Sequence, residues 1–138
     1  MADLSHLLQQ RTLDTTLGVR YLELNPERVV AELEVGPAVH QPFGYLHGGA
    51  SVALAESVAS IGGYLNCPEG YAAFGMEINA NHLRPKREGL LRATGVPLHR
   101  GQSTQVWEVR LTDERDRLIC ISRCTLAVVK LDRGSPNP

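Results

Sequence analysis

Residues 50–65 read Ala-Ser-Val-Ala-Leu-Ala-Glu-Ser-Val-Ala-Ser-Ile-Gly-Gly-Tyr-Leu. Ala, Leu and Glu supply helix propensity, and the side chains are apolar or small almost all the way round. A helix of that composition is enclosed by protein rather than laid on a surface. The stretch therefore predicts one central helix with the rest of the chain built around it. One residue breaks the pattern: Glu56 stands mid-run, and a buried carboxylate is costly unless it is paired or used.

Working outward, the flanks read as strands. Phe74, Met76, Ile78, Ala80 and His82 alternate with Gly75, Glu77, Asn79, Asn81 and Leu83, the period of a strand with two unlike faces. Further strands are expected over 90–98, 104–112 and 118–131. The turns His99-Arg100-Gly101-Gln102 and Asp113-Glu114-Arg115-Asp116 would make these three antiparallel neighbours. Upstream, Val19 to Leu24 and Val29 to Val35 flank Asn25-Pro26-Glu27, a hairpin signal, with Val29, Ala31, Leu33 and Val35 on the buried face. Leu4, Leu7 and Leu8 mark a short helix within 3–10, and residues 36–49 form a loop rich in Gly and Pro. Hairpin, enclosed helix and a run of strands make an α+β fold, one antiparallel sheet wrapped around one long helix.

Composition narrows the function classes. The 138 residues form a single domain over 1–138, with a tail at 133–138 expected to fray. Fifteen acidic and fourteen basic residues leave no basic surplus, which argues against a nucleic-acid partner. One Trp and two Phe do not make a base-stacking platform. No apolar run approaches the roughly 20 residues of a membrane span, and the first residues carry no secretory signal pattern. Of the three cysteines, Cys120 and Cys124 lie four apart on one strand face. They read as small core residues rather than a disulfide, in keeping with a reduced, cytoplasmic setting.

Chemistry converges on the start of the helix. Burial of Glu56 would favour its protonated form and make it a stronger base; the competing readings are a structural carboxylate bridging to a buried Arg, or simply a helix face that reaches solvent. The loop Gln41-Pro42-Phe43-Gly44-Tyr45-Leu46-His47-Gly48-Gly49 delivers a His and two glycines to a helix N-terminus. Backbone N–H groups there lack internal partners and carry the positive end of the helix dipole, so a carbonyl placed against them would be polarised. Gly48 and Glu56 are eight residues apart, roughly 12 Å along a helix axis. One helix therefore does not readily present both to a single carbonyl, whereas a two-fold dimer with antiparallel central helices can. Ser60, four residues after Glu56, shares its helix face and could hold a water.

These motifs carry a resemblance. The stretch from Gln41 to Glu56, together with Asn79-Ala80-Asn81-His82-Leu83-Arg84-Pro85 and Thr104-Gln105-Val106-Trp107, closely resembles the hotdog-fold acyl-CoA thioesterases of the phenylacetate-degradation type. The nearest branch resembles the 1,4-dihydroxy-2-naphthoyl-CoA thioesterases of menaquinone synthesis, the enterobactin-pathway proofreading enzymes and the 4-hydroxybenzoyl-CoA thioesterases. The likeness covers about residues 5–130 and implies hydrolysis of an aromatic or medium-chain acyl-CoA without metal or organic cofactor. It makes Glu56 nucleophile or general base and Gly48 the carbonyl-polarising N–H. His47 and Gln41 orient the thioester, and Ser60 helps place the water. It further implies Arg84, Ser103, Thr104 and Arg133 as nucleotide-end contacts. His82 would sit nearer the acyl or pantetheine channel, because it ends the face bearing Met76 and Ile78. A homodimer sharing its active sites, assembled as a dimer of dimers, is the implied partner state.

Competing readings are an acyl-carrier-protein thioesterase with a proofreading role, a dehydratase or hydratase on the same fold, and a non-catalytic acyl-CoA-binding module. The position of Glu56 inside the helix with His47 just before it favours thioester hydrolysis over dehydration. An acyl-CoA sensor would need an attached DNA-binding segment, for which 138 residues leave no room. A metal site from His40, His47 and Glu56 matches no common ligand spacing.

Overall fold

The computed structural model describes residues 4–132. The expectation of a frayed tail and the suggested contact at Arg133 lie outside them. In chain order the elements are α1 (Ser5–Leu8), α2 (Leu13–Leu17), β1 (Arg20–Asn25), β2 (Arg28–Val35), α3 (Gly48–Leu65), β3 (Tyr71–His82), β4 (Gly89–Arg100), β5 (Thr104–Thr112) and β6 (Leu118–Lys130). The six strands form one antiparallel sheet in the order β1-β2-β4-β5-β6-β3, and α3 packs against its inner face. This is the α+β arrangement the sequence predicts.

Alternation does most of the work. Val29, Ala31, Leu33 and Val35 of β2, Leu91 and Ala93 of β4, Trp107, Val109 and Leu111 of β5 and Cys120, Cys124 and Leu126 of β6 are buried together beneath the helix. Both strand cysteines are thus core residues with free thiols. Two residues on the far side of β2 are also buried, Val30 and Glu32. Glu32 is held there by Arg20 at 2.8 Å and Arg92 at 3.2 Å, which supply the partners a buried carboxylate requires.

Several features depart from the sequence expectation. The helix begins two residues early, at Gly48, because the His47 ring caps it: Nδ1 accepts the Gly49 N–H at 2.8 Å. A second helical turn, α2, precedes the hairpin. Its first turn is closed by the Thr12 N–H donating to Thr15 Oγ1 and its end by Gly18 at φ 74°, a left-handed conformation that favours glycine. Finally, a single chain does not enclose α3. Leu54, Ala55, Val58 and Ala59 are buried on the sheet, while Ala53, Glu56, Ser57 and Ser60 stay half-buried on the opposite side.

The alternation of β3 is also interrupted. Gly75 pairs with Leu126 and Glu77 with Thr125, leaving Met76 as an extra residue in a β-bulge. The bulge resets the parity, so Ala73 and Gly75 share the helix-facing side with Ile78, Ala80 and His82. Phe74 and Met76 are instead 47% and 57% exposed, off the face the sequence assigned them with His82.

Candidate active site

The helix start gathers one group of residues. Gln41 shapes the loop before α3 through both backbone and side chain: its N–H donates to the Tyr45 carbonyl at 2.8 Å, and its Oε1 accepts from Phe43 at 2.5 Å and Tyr45 at 3.3 Å. The amide nitrogen of Gln41 takes no part in these bonds. His47 Nδ1 accepts a backbone N–H, so the ring carries its proton on Nε2, on an exposed edge where it can donate. The first helical N–H, that of Gly48, has no acceptor among the described residues. The His82 ring packs against this glycine: a β-carbon on Gly48 would lie 2.9 Å from His82 Nε2. Gln41, Tyr45, Gly48, Ser51, His82 and Arg84 all line one cavity of about 390 Å³.

Glu56 lies elsewhere. It lines a second groove, of about 540 Å³, between α3 and the N-terminal helices, with Ser57 and Ser60 beside it and Leu7, Leu13 and Ile61 as apolar wall. Among the described residues no donor bonds to its carboxylate. The full burial expected from sequence is not reached in the single chain, because this side of α3 is the one the sheet leaves open. The structure thus brings His47, Gly48, Gln41, His82 and Arg84 to the helix start and sets Glu56 with Ser60 about two turns along. It does not bring the two sets together within one chain.

Ser103 ends the β4–β5 turn and Thr104 opens β5; the Gly101 N–H donates to the Thr104 carbonyl at 2.8 Å and the Val128 N–H to that of Ser103 at 2.9 Å. This is the far end of the helix, since neighbouring Gln105 bonds to the Gly63 carbonyl and Arg100 to Asn66. Arg84 lies by the helix start, and an 18-residue helix spans roughly 27 Å. Ser103 and Thr104 therefore do not share a ligand end with Arg84 of the same chain. The cations of 84–87 also differ among themselves. The Lys86 side chain is only 8% exposed and bonds to Glu114 at 2.9 Å. Arg87 stacks on the Tyr45 ring at 4.3 Å. For the weak metal reading, His40 Nε2 is taken up by the Arg87 carbonyl at 2.7 Å and His47 Nδ1 by its cap.

One cluster escaped the sequence. Asp14 accepts from Ser57 Oγ at 2.5 Å and from the Tyr21 hydroxyl at 2.8 Å, tying α2 and β1 to the residue next to Glu56. Burial, and then the Asp14 carboxylate, push the Tyr21 phenol far above its ordinary range and keep it a donor. A polar triplet drawn from three separate elements has no local sequence signature; the only hint was a Thr-x-x-Thr start around Asp14.

Comparison with known proteins settles the family. Residues 43–120 match the Thioesterase superfamily, more than half of the chain. The chain belongs to that family. It is a hotdog-fold thioester hydrolase. It is 52% identical to the 1,4-dihydroxy-2-naphthoyl-CoA hydrolase of Listeria monocytogenes, over 86% of this chain and 96% of that relative. To the 1,4-dihydroxy-2-naphthoyl-CoA hydrolase of Escherichia coli it is 47% identical, over 82% of this chain and 83% of the relative. Among solved structures, a thioesterase from Haemophilus influenzae superposes on this thioesterase with a TM-score of 0.90 at 38% identity, covering 98% of this chain and 96% of the other.

Among the described residues no helix is long and apolar enough to cross a membrane.

Proposed function

We propose that this thioesterase hydrolyses an aromatic acyl-CoA, with 1,4-dihydroxy-2-naphthoyl-CoA as first candidate, at sites shared between two subunits. The substrate class is supported by the two relatives that carry this activity in their names, at 52% and 47% identity. One observation carries the mechanism. The capped helix start offers the Gly48 N–H and the His47 Nε2–H as donors, while Glu56, without a donor of its own, waits about 12 Å further along the same helix.

In this reading the thioester carbonyl oxygen lies between the Gly48 N–H and His47 of one subunit, and the carbonyl carbon faces Glu56 of the other. Negative charge that develops on the oxygen is met by two preorganised donors and the positive end of the helix dipole. Glu56 then either attacks the carbonyl carbon, forming a mixed anhydride that water later cleaves, or takes a proton from water as that water attacks. Either route breaks the carbon–sulfur bond, and the thiolate leaves as CoA and takes up a proton. Ser60 holds the water beside Glu56, and the Gln41 amide orients the thioester. His82 flanks the pantetheine, and Arg84 of one subunit with Ser103 and Thr104 of another meets the phosphates.

The test is thiol release over a panel of aromatic and medium-chain acyl-CoA and acyl-carrier-protein esters, run on wild type and Glu56→Ala. Fastest turnover on aromatic CoA esters, abolished in the variant, is the expected result. Preference for carrier-protein esters would favour the proofreading role instead, and undiminished turnover by Glu56→Ala would refute the mechanism.

A further inference from the structure

The one irregularity in β3 lies opposite the Glu56 carboxylate. Gly75 is the last regularly paired residue before the bulge at Met76 and faces α3. A β-carbon at Gly75 would run into Glu56 Oε1 and lie 3.3 Å from Cδ. Its backbone does not call for glycine: the glycines with left-handed φ are Gly18, Gly44, Gly70 and Gly89, and Gly75 is not among them. A side chain there would meet only Glu56, the free end of a flexible side chain, and would have to displace its carboxylate. Elsewhere on the same face β3 carries side chains, at Ala73, Ile78 and Ala80.

We infer that Gly75 is a positioning residue for Glu56, its bare backbone forming the floor against which the carboxylate is held. The inference deepens the proposed function and rests on it, since it gives the catalytic carboxylate its seat. Glu56 has no hydrogen-bond donor among the described residues to fix it, and its side chain turns about three bonds. Contact with the strand is then what limits where the carboxylate can go. A methyl group at residue 75 lifts the carboxylate off the strand, and displacements on the order of 1 Å at a reacting group can cost about a hundredfold in rate.

The experiment is a cycle of Gly75→Ala with changes at Glu56, read by steady-state kinetics on an acyl-CoA ester and by thermal melting. Gly75→Ala is expected to lower kcat at least about tenfold while KM changes less than about twofold. In a Glu56→Asp background, where the carboxylate is one methylene shorter, the same substitution should lower kcat by less than about threefold. A kcat for Gly75→Ala near that of wild type, or an equal loss in both backgrounds, overturns the inference. Melting supplies a readout independent of catalysis. Any fall in Tm caused by Gly75→Ala should shrink when Glu56→Ala removes the carboxylate; an undiminished fall means the glycine serves the strand and not Glu56. Because that comparison needs no turnover, it also separates failure of this inference from failure of the proposed reaction.

Discussion

Asp113 shows how a single side chain sets a turn. It accepts the N–H groups of Arg115 and Arg117, each at 2.9 Å, and the Arg117 Nε at 2.7 Å. Burial pushes its carboxyl up, but the backbone N–H groups and the guanidinium outweigh that and hold it at about 2, against an ordinary 3.8. A carboxyl depressed in this way contributes stability above its unfolded value, and that contribution is lost as the pH falls through the folded one. Asp113→Asn should therefore lower Tm at neutral pH, and the gap to wild type should narrow below about pH 4 and close near pH 2. The turn itself was readable from Asp113-Glu114-Arg115-Asp116. Glu56 was readable for a similar reason, as a charge where the pattern allows none. The Asp14–Tyr21–Ser57 cluster was not, because Ser57 stands 43 residues from Asp14 and no local rule links them.

At the scale of elements, propensity and patterning located the helix and the strands to within a few residues, and two tertiary effects decided the rest. The bulge at Met76 is a property of how β3 pairs with β6, so alternation along β3 alone placed Phe74 and Met76 on the wrong face. The start of α3 depends on the His47 cap, which allows two glycines of low helix propensity into the first turn. Close packing of α3 on the sheet accounts for glycines near its other end. A β-carbon on Gly62 would approach carbons of the Trp107 ring to 2.6 and 2.8 Å. That ring cannot yield: it is fully buried, and its Nε1 donates to Gln105 at 2.9 Å, which in turn bonds to the Gly63 carbonyl at 3.1 Å. Gly62→Ala gains about 1 kcal/mol of helix propensity but overpacks at a cost of about 1–3 kcal/mol. Urea unfolding should show a net loss of stability rather than the gain that glycine-to-alanine changes usually bring to helices.

For the whole molecule, what matters is how the open side of α3 is used. One chain supplies carbonyl-polarising donors at the helix start and a carboxylate two turns further on, and the proposed site takes one set from each of two subunits. Two inactive variants should then rescue each other. Mixing Glu56→Ala with His47→Ala under conditions that exchange subunits should restore about a quarter of wild-type activity, since half of randomly formed dimers are mixed and each holds one intact site. No recovery in verified mixed dimers would place both groups in a single-chain site. The separation behind the proposed sharing is legible in the sequence, because a helix rise of 1.5 Å per residue sets Gly48 apart from Glu56 whatever the fold around them. Which face of α3 stays open could not be read that way; it depends on how six strands close around the other. The central claim is that Glu56 performs the hydrolysis, and the rate of CoA thiol release by Glu56→Ala tests it most directly. The account predicts a fall in kcat of roughly a hundredfold or more with the fold intact by thermal melting; a folded variant turning over at the wild-type rate would contradict it.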